Sequence, residues 1–138
     1  MDLEFRAAPN VAGAYDYEIH QGEPMVIDWE PMIRQILNEL RTDADTSVIA
    51  AKFHNTLATT VVDVAQRIAE HRVVLTGGCF QNRYLTERVV QCLSQAGFSA
   101  YWHQRVPPND GGLALGQVMA AQQAMKQETS CVLQFQAR

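Results

Sequence analysis

A strand-like run that ends in two glycines is the feature that most constrains this 138-residue chain. The segment VVLTGGCFQNRYL, residues 73–85, passes from apolar residues directly into Gly77 and Gly78, and a helical pattern follows at once. A glycine pair offers no side chain to pack, but it tolerates positive φ and allows another molecule to approach the backbone. The first amides of the following helix are unpaired and carry partial positive charge. The pattern therefore favours either a phosphate site or a tight turn without a ligand.

The residues around the glycines match neither of the two common phosphate-binding fingerprints. No Lys-Ser/Thr pair follows them as in a P-loop, and the dinucleotide motif G-x-G-x-x-G is absent. Asn82 falls one turn into the helix predicted over residues 80–95, and asparagine is a poor residue for a helix interior. Its side chain is therefore expected either to face a ligand or to hydrogen-bond a neighbouring loop.

The second candidate site is the loop VPPNDGGLALG, residues 106–116. Asn109 or Asp110 can cap the helix that follows, and Gly111 keeps side chains away from them. Asp110 is either a plain N-cap or a carboxylate at the carboxyl end of a parallel strand, where open α/β sheets bind ligands. In the second case it can hold a divalent cation through oxygen. We expect the strand tips at Gly78 and Asp110 to lie side by side.

The other polar candidates have plain structural interpretations. His54 falls near the apolar face of a long helix, and a hydrogen-bonded core histidine is favoured over a residue that lines a cleft. Cys79 is interpreted as a small buried residue. The three cysteines form no C-x-x-C pair, so neither a disulfide framework nor a cysteine-based zinc site is predicted. No serine or cysteine lies in a recognisable nucleophile elbow, so nucleophilic catalysis by this chain is not expected.

Apolar periodicity predicts the element order β-β-α-α-β-α-β-α. The predicted strands are 14–20, 24–29, 72–76 and 99–103, and the predicted helices are 30–41, 47–70, 80–95 and 112–128. Strands that alternate with helices in the second half indicate an α/β fold with a parallel sheet layered with helices.

The two ends of the chain are harder to interpret. Residues 1–13 show no visible element and are expected to be poorly anchored. The tail, residues 130–138, is expected to add a short strand or to lie against the surface. Gly112, Gly116 and Ala120 are spaced by four residues, which predicts a small face for close helix packing.

Composition and charge argue against several classes of protein. Eleven basic residues against fifteen acidic ones give a formal net charge of −4, whereas duplex binding usually leaves a basic footprint. The longest apolar run is shorter than the ~18 residues that a membrane span needs. The first ten residues lack the layout of a signal peptide. We therefore expect a cytoplasmic protein with no nucleic-acid and no membrane partner.

Two motifs in order, TGGCFQNRYL and VPPNDGGLALGQ, resemble the carboxyl-terminal end of the HypF carbamoyltransferases of nickel-iron hydrogenase maturation. The segments IDWEPMIRQIL and IAAKFHNTLA precede them in the family's order, so the resemblance covers nearly the whole chain. The TsaD-type tRNA threonylcarbamoyltransferases carry a similar glycine pair and a similar Asp, but their surrounding residues fit less well. A lobe of the TsaD type stays as an alternative.

The resemblance implies an actin-like ATPase, or ribonuclease-H-like, fold with a mixed sheet and helices on both faces. Residues 1–138 then form a single lobe, the carboxyl-terminal half of a TsaD-like carbamoyltransferase domain, and a nucleotide lies in the cleft between lobes. The implied site residues share a place at this cleft. They are Gly77 and Gly78 at the phosphates, Asn82 at the nucleotide, Asp110 on a divalent metal (Fe, Zn or Mg), and His54, Asn109 and Gly111 as further lining residues.

The activity that the resemblance implies is ATP-dependent carbamoyl transfer. Carbamoyl phosphate and ATP yield a carbamoyl adenylate, and the carbamoyl group passes to the carboxyl-terminal cysteine of HypE. The paired histidines that complete the metal site lie upstream in the family, so the chain alone is expected to be inactive without its N-terminal portion. Exposed apolar surface on a separated lobe also predicts self-association. The alternative is an autonomous module that binds a nucleotide or phosphometabolite, for which micromolar ATP binding by the chain alone would be the sign.

Overall fold

The computed structural model describes the backbone of residues 2–135 and the side-chain burial of residues 3–125. The helices are α1 (Asp2–Arg6), α2 (Glu30–Arg41), α3 (Thr46–Ile68), α4 (Arg83–Gln95) and α5 (Leu113–Phe135). The strands are β1 (Glu18–His20), β2 (Val26–Asp28), β3 (Arg72–Leu75) and β4 (Ser99–Trp102). Two 3₁₀ turns, Gly78–Gln81 and Asp110–Gly112, follow β3 and β4. The predicted order is confirmed, with α1 added at the start.

The described strands form two separate two-stranded sheets. β1 and β2 form an antiparallel hairpin in which Ile19 lies opposite Ile27. β3 and β4 pair with each other and are connected through α4, and the Ser99 amide donates to the His71 carbonyl at 3.0 Å. The α/β class is confirmed. The prediction of one mixed sheet is corrected to two small sheets, because the three-residue hairpin strands pair only with each other.

The chain divides into two compact units, residues 1–75 with 82–101 and residues 76–81 with 102–138. All the residues described as buried belong to the first unit. In the second unit, no residue whose burial is described is fully enclosed. Among the residues whose burial is described, the hydrophobic core therefore lies in the first unit.

Helix α3 packs against α4, and both helices contribute small or apolar side chains to the buried part of the protein. Ala50, Ala51 and Ala58 on α3 are completely buried, as are Val89 and Leu93 on α4. The burial of these side chains removes apolar surface from water and stabilises the two helices.

A polar network on the other side of α3 holds the segment before β1. The Tyr15 hydroxyl donates to Glu39 Oε2 at 2.6 Å, and the Lys52 ammonium pairs with Glu39 Oε1. Lys52 Nζ also lies 4.9 Å from the centre of the Tyr15 ring. The hydrogen bonds from Lys52 and Tyr15 hold the pKa of Glu39 below its usual value of 4.5. Burial, together with Glu39, raises the pKa of Tyr15.

Several helix boundaries agree with the sequence, and others do not. α2 has the predicted bounds, and the Asp28 carboxylate accepts from the Glu30 amide at 2.8 Å although Trp29 is the N-cap. The tail prediction is wrong for residues 130–135, because α5 continues to Phe135, and residues 136–138 lie outside the described part. A Cβ placed on Gly116 would meet no described atom within 4 Å, so the described part of the protein shows no close packing at this residue. Among the described residues, no helix is both long and apolar enough to cross a membrane.

Candidate functional site

The turn after β3 is shaped by Gly77. Its φ of +104° belongs to a backbone region that residues with a Cβ rarely adopt. The Gly77 amide donates to the Pro108 carbonyl at 2.8 Å, and the Gly77 carbonyl accepts from the Phe80 amide at 3.1 Å. The turn conformation itself therefore explains this glycine. The Gly77 amide is also already used within the protein, which leaves it no role as a donor to a ligand in this conformation.

Gly78 has no comparable internal reason to be a glycine. Its φ lies outside the positive region, and a Cβ built on it would have Asn109 Cβ at 3.9 Å as its nearest neighbour, an ordinary contact. The residue is exposed, and its amide has no acceptor among the residues that the structure describes. The fold would accept a side chain here. Open space and a free donor are what an approaching anion requires.

The loop between β4 and α5 is built around Asn109. The Asn109 side chain accepts from the Gly111 amide at 3.0 Å, and its carbonyl accepts from the Gly112 amide at 2.9 Å. A Cβ on Gly112 would lie 2.8 Å from the Pro107 carbonyl oxygen, and one on Gly111 would lie 3.1 Å from Asn109 Oδ1. Gly112 is thus required by a close backbone approach. Gly111 is favoured by its contact with the capping side chain.

The structure decides between the two capping candidates. Asn109 is the N-cap of the 3₁₀ turn Asp110–Gly112. Asp110 is exposed, and its carboxylate has no hydrogen-bond partner within the described part of the chain. Because Asn109 satisfies the amides, the Asp110 carboxylate stays available for a cation.

The donor set for a metal is incomplete in the described residues. No group of three His, Cys, Asp or Glu side chains there is arranged to hold a metal ion. A single carboxylate such as that of Asp110 fits a hard or borderline divalent cation as one ligand. Any further ligands would have to come from another part of the protein or from the ligand itself.

The two loops meet in the second unit. The Gly77–Pro108 hydrogen bond and the approach of Gly78 to Asn109 join them directly. Thr76 Oγ1 and His103 Nε2 lie 3.2 Å apart and form a side-chain link between the same two loops. The structure therefore brings the Gly78 and Asn109–Gly111 tips together, as expected.

Sequence reasoning missed two residues at this edge and misplaced a third. Thr76 and His103 were not singled out, although each directly follows a strand that the structure pairs. Cys79 is exposed in the 3₁₀ turn, so its interpretation as a buried residue is wrong.

Asn82 and His54 form a pair within the first unit. The helix begins at Arg83, three residues later than predicted, because residues 78–81 form a 3₁₀ turn and Asn82 is the N-cap of α4. Asn82 Oδ1 accepts from the Leu85 amide at 2.8 Å, and Asn82 Nδ2 lies 2.8 Å from His54 Nε2. The His54 side chain is 2% exposed, so the structure makes it a hydrogen-bonded core histidine.

Comparison with known proteins gives a consistent result. The family model described as "Carbamoyltransferase, Kae1-like Domain, second subdomain" matches residues 1–117. The carbamoyltransferase HypF of Synechocystis is 39% identical over 125 residues, which is 88% of this chain and 16% of that protein. HypF of Rhizobium leguminosarum is 34% identical over 139 residues, 94% of this chain and 17% of that protein.

Two solved structures are similar as well. A crystal structure of full-length HypF in the phosphate- and nucleotide-bound form superposes with a TM-score of 0.82 at 41% identity, over 90% of this chain and 17% of that one. The HypF structure of T. kodakarensis has a TM-score of 0.65 at 22% identity, which shows a shared fold.

The chain belongs to the HypF carbamoyltransferase family, in which it corresponds to the second subdomain of the Kae1-like domain. It spans about a sixth of the length of the curated relatives, 16% and 17% for the two described above.

Proposed function

We propose that this chain supplies the phosphate-facing part of the nucleotide site in a HypF-type carbamoyltransferase, as the second lobe of an actin-like, ribonuclease-H-like domain. The observation that carries the proposal is Gly78. Gly77 and Gly112 are explained by a positive φ and by a 2.8 Å approach to backbone, whereas nothing inside the described chain requires glycine at residue 78. An external group that approaches the backbone accounts for it. The HypF structure in the phosphate- and nucleotide-bound form supports a ligand of this class.

Each site residue has a physical role in this proposal. Gly77 shapes the turn, and the Gly78 amide donates to a phosphate oxygen without a side chain in the way. Asn82 contacts the nucleotide. Asp110 contributes one oxygen to a divalent metal, which when bound would neutralise and orient phosphate oxygens. Asn109 and Gly111 keep the Asp110 turn in place rather than touching the ligand.

The proposed reaction places no nucleophile on this chain. In the intact protein, water cleaves carbamoyl phosphate into carbamate and phosphate, a carbamate oxygen attacks the α-phosphorus of ATP, and pyrophosphate leaves to give a carbamoyl adenylate. The cysteine thiolate of HypE then attacks the carbamoyl carbon, the carbon–oxygen bond to the adenylate breaks, and AMP leaves with its electron pair. The Gly78 amide stabilises negative charge on the departing phosphate group. We propose that this subdomain by itself is inactive, since the proposed site also needs other parts of the Kae1-like domain, and that the intact protein acts in the cytoplasm.

The test is an ATP titration of the ¹⁵N-labelled full chain followed by NMR. We expect ATP to shift the amide signals of Gly78 and Asp110 with weak affinity, since the chain forms half of a site. Gly78→Val should weaken this response by about tenfold or more, a loss of about 1.4 kcal/mol. Gly116→Val is the matched control, because Gly116 is also a glycine with open space around it. An unchanged response in Gly78→Val, or an equal loss in Gly116→Val, would contradict the proposal.

A further inference from the structure

His54 and Asn82 form a partly buried polar contact, in which the histidine has no part in the proposed phosphate site. His54 lies on α3 and Asn82 at the start of α4, 28 positions apart in the sequence. His54 Nδ1 lies 2.7 Å from the Ala50 carbonyl oxygen, and His54 Nε2 lies 2.8 Å from Asn82 Nδ2. Asn82 Oδ1 in turn accepts from the Leu85 amide at 2.8 Å. These contacts form one continuous chain of three hydrogen bonds.

The direction of each of these three hydrogen bonds is fixed by the backbone groups at the two ends of the series, the Leu85 amide and the Ala50 carbonyl. The Leu85 amide can only donate, so the amide oxygen of Asn82 must face it and the amide nitrogen must face His54. The Ala50 carbonyl can only accept, so His54 Nδ1 carries the proton. His54 Nε2 then accepts from Asn82 Nδ2. The assignment follows from the two backbone groups and not from observed hydrogens.

The imidazole ring is held in place by its neighbours. Phe53 and Tyr84 make edge contacts with it, with ring centres 5.7 Å and 5.1 Å away and interplanar angles of 84° and 69°. With the ring buried between these side chains, rotation that would remove Nε2 from Asn82 requires repacking of the α3–α4 interface.

We propose that His54 is a positioning residue for Asn82. The Nε2 atom of His54 fixes the orientation of the Asn82 side-chain amide. The Asn82 oxygen then caps α4, and one Nδ2 hydrogen of Asn82 remains available to donate. That hydrogen has no acceptor among the residues that the structure describes. Asn82 thereby presents an Nδ2 hydrogen as a donor to a nucleotide. This last step rests on the proposed function, whereas the positioning itself does not.

Two substitutions of His54 distinguish the role of its Nε2 atom from the role of the rest of the ring. In His54→Gln, the side-chain oxygen reaches the place of Nε2 and can still accept from Asn82. In His54→Asn, the shorter amide can replace only the Nδ1 bond to Ala50 and leaves Asn82 without its acceptor. Both variants lose the aromatic contacts, so a purely structural role of the ring would affect them alike.

The experiment combines NMR on the unmodified full chain with the two variants. Long-range ¹H–¹⁵N spectra of the unmodified chain should place the His54 proton on Nδ1. His54→Asn should shift the Asn82 side-chain amide signals and increase hydrogen exchange at Leu85, and His54→Gln should largely restore both. With ATP, the response of the Asn82 amide group should weaken several-fold in His54→Asn while that of Gly78 is retained.

The experiment tests the positioning role of His54 and the proposed nucleotide binding separately. A His54 proton on Nε2 in the free, unmodified chain would overturn the positioning role without any variant. Equal effects of the two variants on Asn82 would overturn it too. If ATP shifts neither Gly78 nor Asn82 in the unmodified chain, the proposed function fails, while the free-chain spectra still decide the role of His54.

Discussion

Helices α3 and α5 each contain 23 residues, but they lie in opposite surroundings. Nine α3 residues are buried. In α5, every side chain described from residue 113 to 125 is exposed, including the apolar Leu115, Val118 and Met119 at 48%, 64% and 57%. These three recur at the i, i+3, i+4 spacing of a helix face that normally meets a partner. Length and apolar content therefore do not decide burial. α3 has α4 to pack against, and this face of α5 has no cover among the described residues.

The largest expected effect comes from truncating one leucine in each region, Leu93 in the α3–α4 core and Leu115 on α5. Leu93 on α4 is completely buried, and Leu93→Ala should lower the free energy of unfolding by about 2–5 kcal/mol through lost contacts and a cavity. Leu115→Ala on α5 should change it by less than about 0.5 kcal/mol. Urea unfolding measures both. Comparable losses for the two variants would mean that α5 is buried in solution.

The next largest effect concerns the polar network of Tyr15, Glu39 and Lys52, which holds the segment before β1. Glu39→Gln should lower the free energy of unfolding by about 1 kcal/mol at neutral pH, because Lys52 loses the carboxylate that it pairs with. The pKa of Glu39 is lowered on folding, so its contribution is present above pH 4.5 and is lost as the pH falls through the lower folded value. Unfolding curves at several pH values should therefore converge for variant and unmodified chain in acid. Glu30→Gln, at the exposed pair with Arg34, is the control and should have little effect. A difference for Glu39→Gln that persists undiminished in acid would contradict the ion pair.

A smaller, local effect should distinguish Asn109 from Asp110, the two candidate capping residues just before α5. Asn109→Ala removes a cap, and amide exchange at Gly111 should accelerate about fivefold, equivalent to about 1 kcal/mol. Asp110→Asn should leave this exchange nearly unchanged, since its carboxylate bonds no described residue. Hydrogen exchange followed by NMR gives both values. Acceleration in Asp110→Asn instead would reverse the assignment of the cap.

The smallest effect is the weak self-association that an uncovered α5 face should support. Light scattering at increasing concentration should show an average mass above that of the monomer. Joint replacement of Leu115 and Val118 by Gln should reduce the association constant several-fold. Ile33→Gln on α2 changes a similarly exposed residue and is the control. A strictly monomeric unmodified chain at high concentration would contradict this prediction.

Local signals made part of this fold predictable. The bounds of α2 agree with the sequence because Asp28, Pro31 and the apolar spacing all mark one helix. The hairpin followed from alternating residues on either side of a turn at Gly22.

The features that were missed depend on contacts between distant residues or on a choice between equal local signals. α1 has only five residues, and its Glu4 carboxylate accepts from the Arg83 amide, 79 positions away. Asn109 and Asp110 are equally good caps by residue type, and only the backbone geometry selects Asn109. Likewise, the sequence predicts a glycine pair after a strand, but only the structure shows how the two differ. Gly77 is required by its positive φ, whereas nothing in the described chain requires glycine at residue 78.

The measurement that tests the account most directly is paramagnetic broadening by Mn²⁺–ATP in the ¹⁵N-labelled chain, with Mg²⁺–ATP as the diamagnetic reference and Mn²⁺ alone as the control. If the joined loops form the phosphate-facing surface, the strongest broadening will fall on amides 77–81 and 109–112 and will need the nucleotide. Broadening centred on the acidic hairpin at Glu18 and Asp28, or the same pattern with Mn²⁺ alone, would contradict the account.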